Sequence, residues 1–313
     1  MFEFLTRWLR LRRARSSHRR KRTKMESLAV GLRPAVEQLE SRELLTGSGL
    51  PRPDHVVIVI EENRTFAEIQ RAHPSYITSL EQSGALFTNS HAITHPSQPN
   101  YLALFSGSTQ GVFDYFTPTQ QFAGPDLGSE LIAAGFTFAG YSEGLPSVGY
   151  TGSAGRNYAR WHNPWVNFSD LPASTNRPFS SFPTDFNNLP TVSFVIPNLK
   201  NDMHDGSIKK GDAWLRRNID PYAQWARTHN SLLIVTWDEN DFIAPENQIP
   251  TIFVGPMVTS GQYSENIDHY NVLRTIEDMY GLSAAGASAS ATAITDVFAQ
   301  PLRASRHREA ARV

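Results

Sequence analysis

Strand-length apolar runs alternate with one-faced helical patterns from Asp54 to Leu282, and this alternation constrains the fold more than any other feature. His55–Ile60 is a continuous β-branched run, as expected of a strand buried on both faces. Thr137–Tyr141, Val192–Ile196, Leu232–Trp237 and Thr251–Val254 read as further strands, and Leu86–Ile93 as a short one. Thr65–Gln82 has helical spacing interrupted by Pro74, and Pro99–Phe105 and Ser129–Ala134 are short helices. Asp212–Arg227 is one-faced despite Pro221, and Tyr270–Tyr280 is closed by Gly281. The expected architecture is α/β: a three-layer α/β/α sandwich with a mostly parallel central sheet. Such sheets bind ligands beyond the carboxyl ends of their strands, so the residues that follow each strand carry the functional information.

Those residues are rich in oxygen ligands. Glu61-Glu62-Asn63 follows the first strand, and Asn198 and Asn201-Asp202-Met203-His204-Asp205 follow Val192–Ile196. Asp238-Glu239-Asn240-Asp241 follows Leu232–Trp237, and the chain after Thr251–Val254 leads to Asp268-His269. One such cluster is an ordinary solvated loop. Several in one α/β domain point to a hard-cation site, because carboxylate and amide oxygens suit Mg²⁺, Ca²⁺ or Mn²⁺, and imidazole adds affinity for Zn²⁺ or Fe. The stretch Thr94-His95-Pro96-Ser97-Gln98-Pro99-Asn100-Tyr101 places Ser97 just before a helix. Locally this reads as an N-cap. It is also a good place for a nucleophile that attacks an anion, since free backbone N–H groups and the helix dipole hold the anion's oxygens.

Composition narrows the remaining classes. The 313 residues contain no cysteine, which excludes a disulfide scaffold, a thiolate metal site and a cysteine nucleophile. No stretch approaches the length of a transmembrane helix. No G-x-S-x-G, P-loop or G-x-G-x-x-G sequence occurs, which counts against a hydrolase elbow, a nucleotide switch and dinucleotide binding. The formal net charge of −1 conceals an asymmetry: residues 1–24 carry ten Lys/Arg and one acid, leaving the rest strongly acidic. The basic start lacks the order of a secretory signal, and no base-reading module follows to make it a nucleic-acid arm. It reads as a solvated basic tail, and Met25 is an alternative initiator. Residues 1–53 are therefore a leader ending in a Gly/Pro linker, 54–300 a single domain, and 301–313 a basic tail. Residues 142–190, rich in Gly, Pro, Ser and Asn with Tyr158, Trp161, Trp165 and Phe168, read as an ordered insertion or lid.

Taken together, the motifs resemble the phosphoesterase family of bacterial acid phosphatases and phospholipases C, in the alkaline-phosphatase-like superfamily. The matching pieces are His55-Val-Val-Ile-Val-Ile-Glu-Glu-Asn-Arg-Thr-Phe66, His95-Pro-Ser-Gln-Pro-Asn-Tyr101, Pro197-Asn-Leu-Lys-Asn-Asp-Met-His-Asp205, Gly211-Asp-Ala-Trp-Leu215, Val235-Thr-Trp-Asp-Glu-Asn240 and Asp268-His-Tyr-Asn-Val-Leu273. The resemblance implies metal ligands at Glu62, Asn63, Asp238 and Glu239, with Ser97 as the nucleophile that also touches the metal. It implies a phosphate contact from Asn100, while His204 and His269 would contact phosphate or assist the leaving group. Asp202 would line the substrate pocket or, with His204 and His269, hold a second ion, so one or two divalent cations are implied. Glu61 would be a neighbour of the site and no ligand. The implied activity is a phosphomonoesterase acting through a phosphoserine on a small-molecule or lipid phosphate ester, not on nucleic acid. A phospholipase C-type phosphodiesterase and a non-catalytic metal-binding protein on the same fold are the alternatives. Relatives often carry Cys at the positions of Lys200 and Gly206, so a local disulfide is absent here as a unit. Separately, Val36, Glu37, Leu39, Glu40, Arg42, Leu44 and Leu45 resemble the export segment of planctomycete exported proteins, although a short amphipathic helix fits equally well. The implied location is exported: periplasmic, cell-surface or secreted.

Overall fold

In the computed structural model, which describes residues 49–299 apart from Thr119, Ala154, Arg156, Ile243 and Pro245, the apolar runs become strands. The basic leader, the export-like segment and the basic tail lie outside the described residues. The strands are β1 His55–Glu61, β2 Ala85–His91, β3 Phe138–Ser142, β4 Asn176–Pro178, β5 Val192–Ile196, β6 Ser231–Trp237, β7 Gln248–Val254, β8 Gly261–Tyr263 and β9 Ile267–Asp268. The helices are α1 Phe66–Ala72, α2 Ser75–Ser83, α3 Ser97–Ser106, α4 Leu127–Ala133, α5 Ile208–Asn218, α6 Asp220–Ala226 and α7 His269–Tyr280.

The sheet runs β4-β3-β5-β1-β6-β7-β2-β8, with β9 also on β2. The pairs from β4 through β6 are parallel, and β7 is antiparallel to both β6 and β2. This is the expected three-layer α/β fold with a mostly parallel sheet. The two reversals at β7 leave β2 pointing the same way as β1 and β6. The carboxyl ends of β3, β5, β1, β6, β2 and β9 consequently share one edge, and every expected ligand segment leaves from it.

Side-chain alternation on β1 builds both layers. Val56, Ile58 and Ile60 pack with Tyr101, Leu104 and Phe105 of α3 and with Leu273 and Ile276 of α7. Val57 and Val59 pack with Ile77 and Leu80 of α2, Leu215 of α5 and Tyr222 of α6. At roughly 25 cal/mol per Å² of buried apolar surface, these two faces supply most of the drive to fold. The core extends to Leu50, which is 2% exposed, so ordered packing begins within the expected linker.

Helix boundaries follow local chemistry. Thr65 and Glu68 form a capping box that starts α1, and Asp268 with Asn271 starts α7. The helix expected over Asp212–Arg227 is two helices, α5 and α6, meeting at Ile219. Pro221 lacks an N–H and its ring clashes with the carbonyl four residues back, so one helix cannot run through. Pro74 divides α1 from α2 for the same reason. The 142–190 insertion contributes β4 and short 3-10 turns, including Arg160–His162 and Pro164–Asn167. It is packed into the core: a Cβ on Gly140 of β3 would stand 2.2 Å from the buried Trp165 ring.

Candidate active site

Glu62 lies one residue past β1 and continues the face of Val56, Ile58 and Ile60, so its carboxylate turns towards α3. Its Oε1 accepts the Tyr101 hydroxyl at 2.7 Å and its Oε2 accepts Ser97 Oγ at 3.1 Å. Glu61, on the opposite face, is buried with neither carboxylate oxygen bonded among the described residues. Burial, then the charge of Glu62, pushes its pKa well up. Asn63 turns the chain in the left-handed region, φ 50°, which asparagine tolerates best after glycine. Its N–H donates to Asp238 Oδ1 at 3.3 Å, while its own Oδ1 is buried without a partner among the described residues.

Ser97 is the first residue of α3, and Pro96 occupies the N-cap without any side-chain hydrogen bond. The N-cap reading of Ser97 is thereby corrected by one residue: the helix leaves its hydroxyl free. That hydroxyl is 2.8 Å from Glu239 Oε1 and 3.1 Å from Glu62 Oε2, and donates to either. Asn100 shapes the approach. Its Oδ1 accepts the N–H groups of Ile93 and Thr94 at 3.0 Å, and its Nδ2 donates to Thr94 O at 2.8 Å. Pro99 costs the helix nothing, because a first-turn N–H has no intrahelical partner to lose.

Asp238 and Glu239 follow β6, and the N–H of Asp238 donates to Glu61 O at 3.0 Å, continuing the β1–β6 ladder. Asp238 Oδ2 is buried and unpartnered among the described residues. Glu239 Oε2 meets His95 Nδ1 at 2.6 Å, and His95 stacks on Phe242 at 4.0 Å. His269 is buried, with Nε2 2.8 Å from Asp238 O, so it braces the backbone beneath that carboxylate. Burial outweighs this bond and holds it below the usual histidine pKa. Asp202 is buried and accepts the N–H of His204 at 2.8 Å. The His204 ring, partly exposed, pairs with Asp205 at 2.9 Å.

The loop that lacks the cysteine pair is tied down by other means. Arg64 donates to Met203 O at 2.9 Å and Gly206 O at 3.1 Å, and Lys200 pairs with Asp205 at 3.2 Å. A Cβ on Gly206 would come 2.2 Å from Lys200 O, so these two positions touch.

The electrostatics are those of crowded, buried carboxylates. Burial and the charges of Glu62 and Glu239 push Asp238 well up, and burial with Glu62 raises Glu239 to about 8. Burial also pushes Glu62 up, but His162 and then the Tyr101 hydroxyl outweigh it and leave Glu62 below the usual value. Among the described residues, no three His, Asp or Glu side chains form a ready-made metal cage. The oxygen set is mixed: Asn63 Oδ1 and Asp238 Oδ2 are buried and unpartnered among the described residues, and the Ser97 hydroxyl lies within 3.1 Å of the Glu62 and Glu239 carboxylates. That chemistry fits a hard divalent cation, whose charge would relieve the repulsion.

Sequence reasoning missed His162, Tyr101 and His95. His162 is fully buried, with Nε2 2.8 Å from Glu62 Oε1 and Nδ1 3.5 Å from Asp202 Oδ2. Neither contact is aligned as a good hydrogen bond, and the ring stacks on Tyr101 at 4.8 Å. It comes from the insertion and follows no strand. Its one local signal is its place beside Trp161 in an otherwise aromatic stretch.

Comparison with known proteins identifies the family. The phosphoesterase family model matches residues 68–283. A phosphatidylinositol-3-phosphatase of Mycobacterium tuberculosis is 54% identical over 258 residues, 81% of this chain and 86% of that protein. A phosphate-repressible acid phosphatase of Penicillium chrysogenum is 30% identical over 253 residues, 74% of this chain but 60% of that protein. In fold, the chain is similar to a protein in the alkaline phosphatase superfamily from Vibrio parahaemolyticus, with a TM-score of 0.57, 12% identity, and coverage of 74% of this chain and 68% of that one. It is also similar to the C-terminal periplasmic domain of EcEptC from Escherichia coli, determined in complex with Zn, with a TM-score of 0.52, 12% identity, and coverage of 77% and 86%. The chain therefore belongs to the phosphoesterase family and is a phosphoric ester hydrolase.

Proposed function

We propose that the protein is a metal-dependent phosphomonoesterase that works through a phosphoserine on Ser97. The observation that carries this reading is the Ser97 hydroxyl, released from helix capping and held 2.8 Å from Glu239 and 3.1 Å from Glu62 at the start of α3. Glu62, Asn63, Asp238 and Glu239, with Ser97 itself, would hold the cation. A bound divalent cation would lower the pKa of the hydroxyl and offset the charge of the phosphoryl oxygens. The first-turn N–H groups of α3 orient those oxygens, and Asn100 keeps the loop before Ser97 in the shape that aims them. Ser97 Oγ attacks phosphorus, the P–O bond to the ester oxygen breaks, and the alcohol leaves with a proton. Water then attacks the phosphoserine and releases inorganic phosphate. His204, partly exposed beside the buried Asp202, is the leaving-group acid in this scheme, and His269 is a brace. The names of the relatives support a monoester substrate, small-molecule or lipid, over the diester of a phospholipase C. Export, on the resemblance of residues 36–45, belongs to the same proposal.

Release of phosphate from para-nitrophenyl phosphate in the presence of a divalent cation tests the reading. Turnover is expected to vanish in EDTA and to fall by about 10³-fold or more in Ser97→Ala, the scale seen when a nucleophile is removed. Full cation-dependent turnover by Ser97→Ala would remove Ser97 from the role of nucleophile.

A further inference from the structure

Arg160 is a buried cation that no carboxylate among the described residues pairs. It opens the 3-10 turn Arg160–His162 of the insertion and is 4% exposed. Its Nε donates to Thr151 O at 2.9 Å and its Nη2 to Asn167 Oδ1 at 2.8 Å. Both acceptors are neutral. Nη1 is buried with no partner among the described residues, and so is Nδ2 of Asn167, a residue 3% exposed. The two orphan donors thus belong to groups already joined by one hydrogen bond. Among the described residues no ion pair reaches Arg160. Burial holds its pKa below the usual arginine value, and the offset comes from Tyr158, whose own pKa burial pushes up to about 12, leaving it uncharged at neutral pH.

Charged side chains are almost never fully buried without a partner, because an uncompensated buried charge is strongly destabilising. A water molecule would take up the free N–H groups and leave the charge. An anion answers both needs at once. We propose that Arg160 Nη1 and Asn167 Nδ2 hold a small monovalent inorganic anion of the chloride class, at a site separate from the reacting groups. One guanidinium balances one negative charge, which favours chloride over a phosphate dianion. The space bordering these groups sets the size. A cavity of about 100 Å³ is lined by Thr151, which accepts from Arg160, and by Val166 and Phe168, which flank Asn167 in the chain. Pockets for organic ligands run to roughly 300 Å³ or more, so this space suits an inorganic ion rather than an organic acid. Asn167 ends the turn Pro164–Asn167, and Arg160 begins the turn that carries His162, whose Nε2 lies 2.8 Å from Glu62 Oε1. The anion therefore ties together two turns of the insertion, one of which supplies a side chain to the active site.

The test is thermal unfolding of the full chain in sodium chloride against sodium gluconate at equal ionic strength, so that general screening is matched. Gluconate carries the same charge and is too large for the site. Chloride is expected to raise the wild-type Tm by about 3 °C or more, the scale for a ligand at roughly tenfold excess over its Kd in a domain of this size. Two variants locate the ion. Arg160→Met removes the charge and the donors while keeping an unbranched apolar stem. Asn167→Asp keeps the oxygen that accepts from Nη2 and replaces Nδ2 with a second carboxylate oxygen, so the protein supplies its own anion. Asn167→Asp is expected to melt in gluconate at least as high as wild type does in chloride, and neither variant is expected to respond to chloride. Should Arg160→Met fail to fold, Asn167→Asp still decides the matter. A chloride response retained in full by Asn167→Asp would place the ion elsewhere and overturn the proposal. A wild type with equal Tm in the two salts would assign the orphan donors to water and overturn it as well.

Discussion

His162 shows how one buried ring organises a site. It lies between the carboxylates of Glu62 and Asp202 and stacks on Tyr101, which itself donates to Glu62. Removing it leaves Glu62 with less opposing charge in a buried place and frees its carboxylate to turn. We therefore expect His162→Ala to weaken cation binding and turnover on the order of 10- to 100-fold, as for other groups that orient a ligand. Calorimetric titration with Mn²⁺ and steady-state kinetics check this, and an unchanged cation affinity would reduce His162 to a packing residue. The residues proposed as ligands were legible because each follows a strand. His162, Tyr101 and His95 were not, because the first sits in an insertion and the other two lie within a motif whose outline does not reveal side-chain direction.

At the scale of elements, most segments appear where periodicity placed them, and the departures come from backbone chemistry at single positions. Pro221 splits one expected helix and Pro96 takes the cap position ahead of Ser97. The cap of α4 offers a pH test away from the active site. Asp126 is buried and accepts the N–H of Ser129 at 2.9 Å and its hydroxyl at 2.8 Å. Burial outweighs these bonds and raises its pKa from 3.8 to about 6. A raised acid favours the folded state in its protonated form, so its contribution is complete below 3.8 and is lost as pH rises through about 6. Asp126→Asn keeps a capping oxygen and cannot titrate. Thermal melts should show the variant gaining stability relative to wild type as pH rises through about 6, and a constant difference across that range would contradict the assignment.

For the whole molecule, the proposed cation would account for the distribution of charge. The segment after residue 24 is acidic, and part of that acidity is concentrated at Glu62, Asp238 and Glu239. A buried cluster of this kind destabilises the fold unless protons or a cation compensate it. A cation that binds only the folded chain adds about 2.7 kcal/mol at a hundredfold excess over its Kd. Mn²⁺ added to EDTA-treated protein should accordingly raise Tm by several degrees, and Asp238→Asn with Glu239→Gln should abolish the rise. An equal shift in that double variant would place the cation elsewhere.

The sequence by itself determined the alternation of strand and helix, the three-layer class, the family, and the residues that stand at the strand ends. Periodicity and strand-end chemistry are local, and both survive as pattern in the chain. Strand order is not local. The reversals at β7, which bring the end of β2 and the start of α7 to the same edge as β1 and β6, depend on pairing across the whole sheet. The tertiary structure alone decided that Ser97 meets Glu62 and Glu239, that His162 enters from the insertion, and that His95 reaches Glu239. Each of these joins segments distant in the chain, and such contacts are set by packing of the folded layers, which no local pattern encodes.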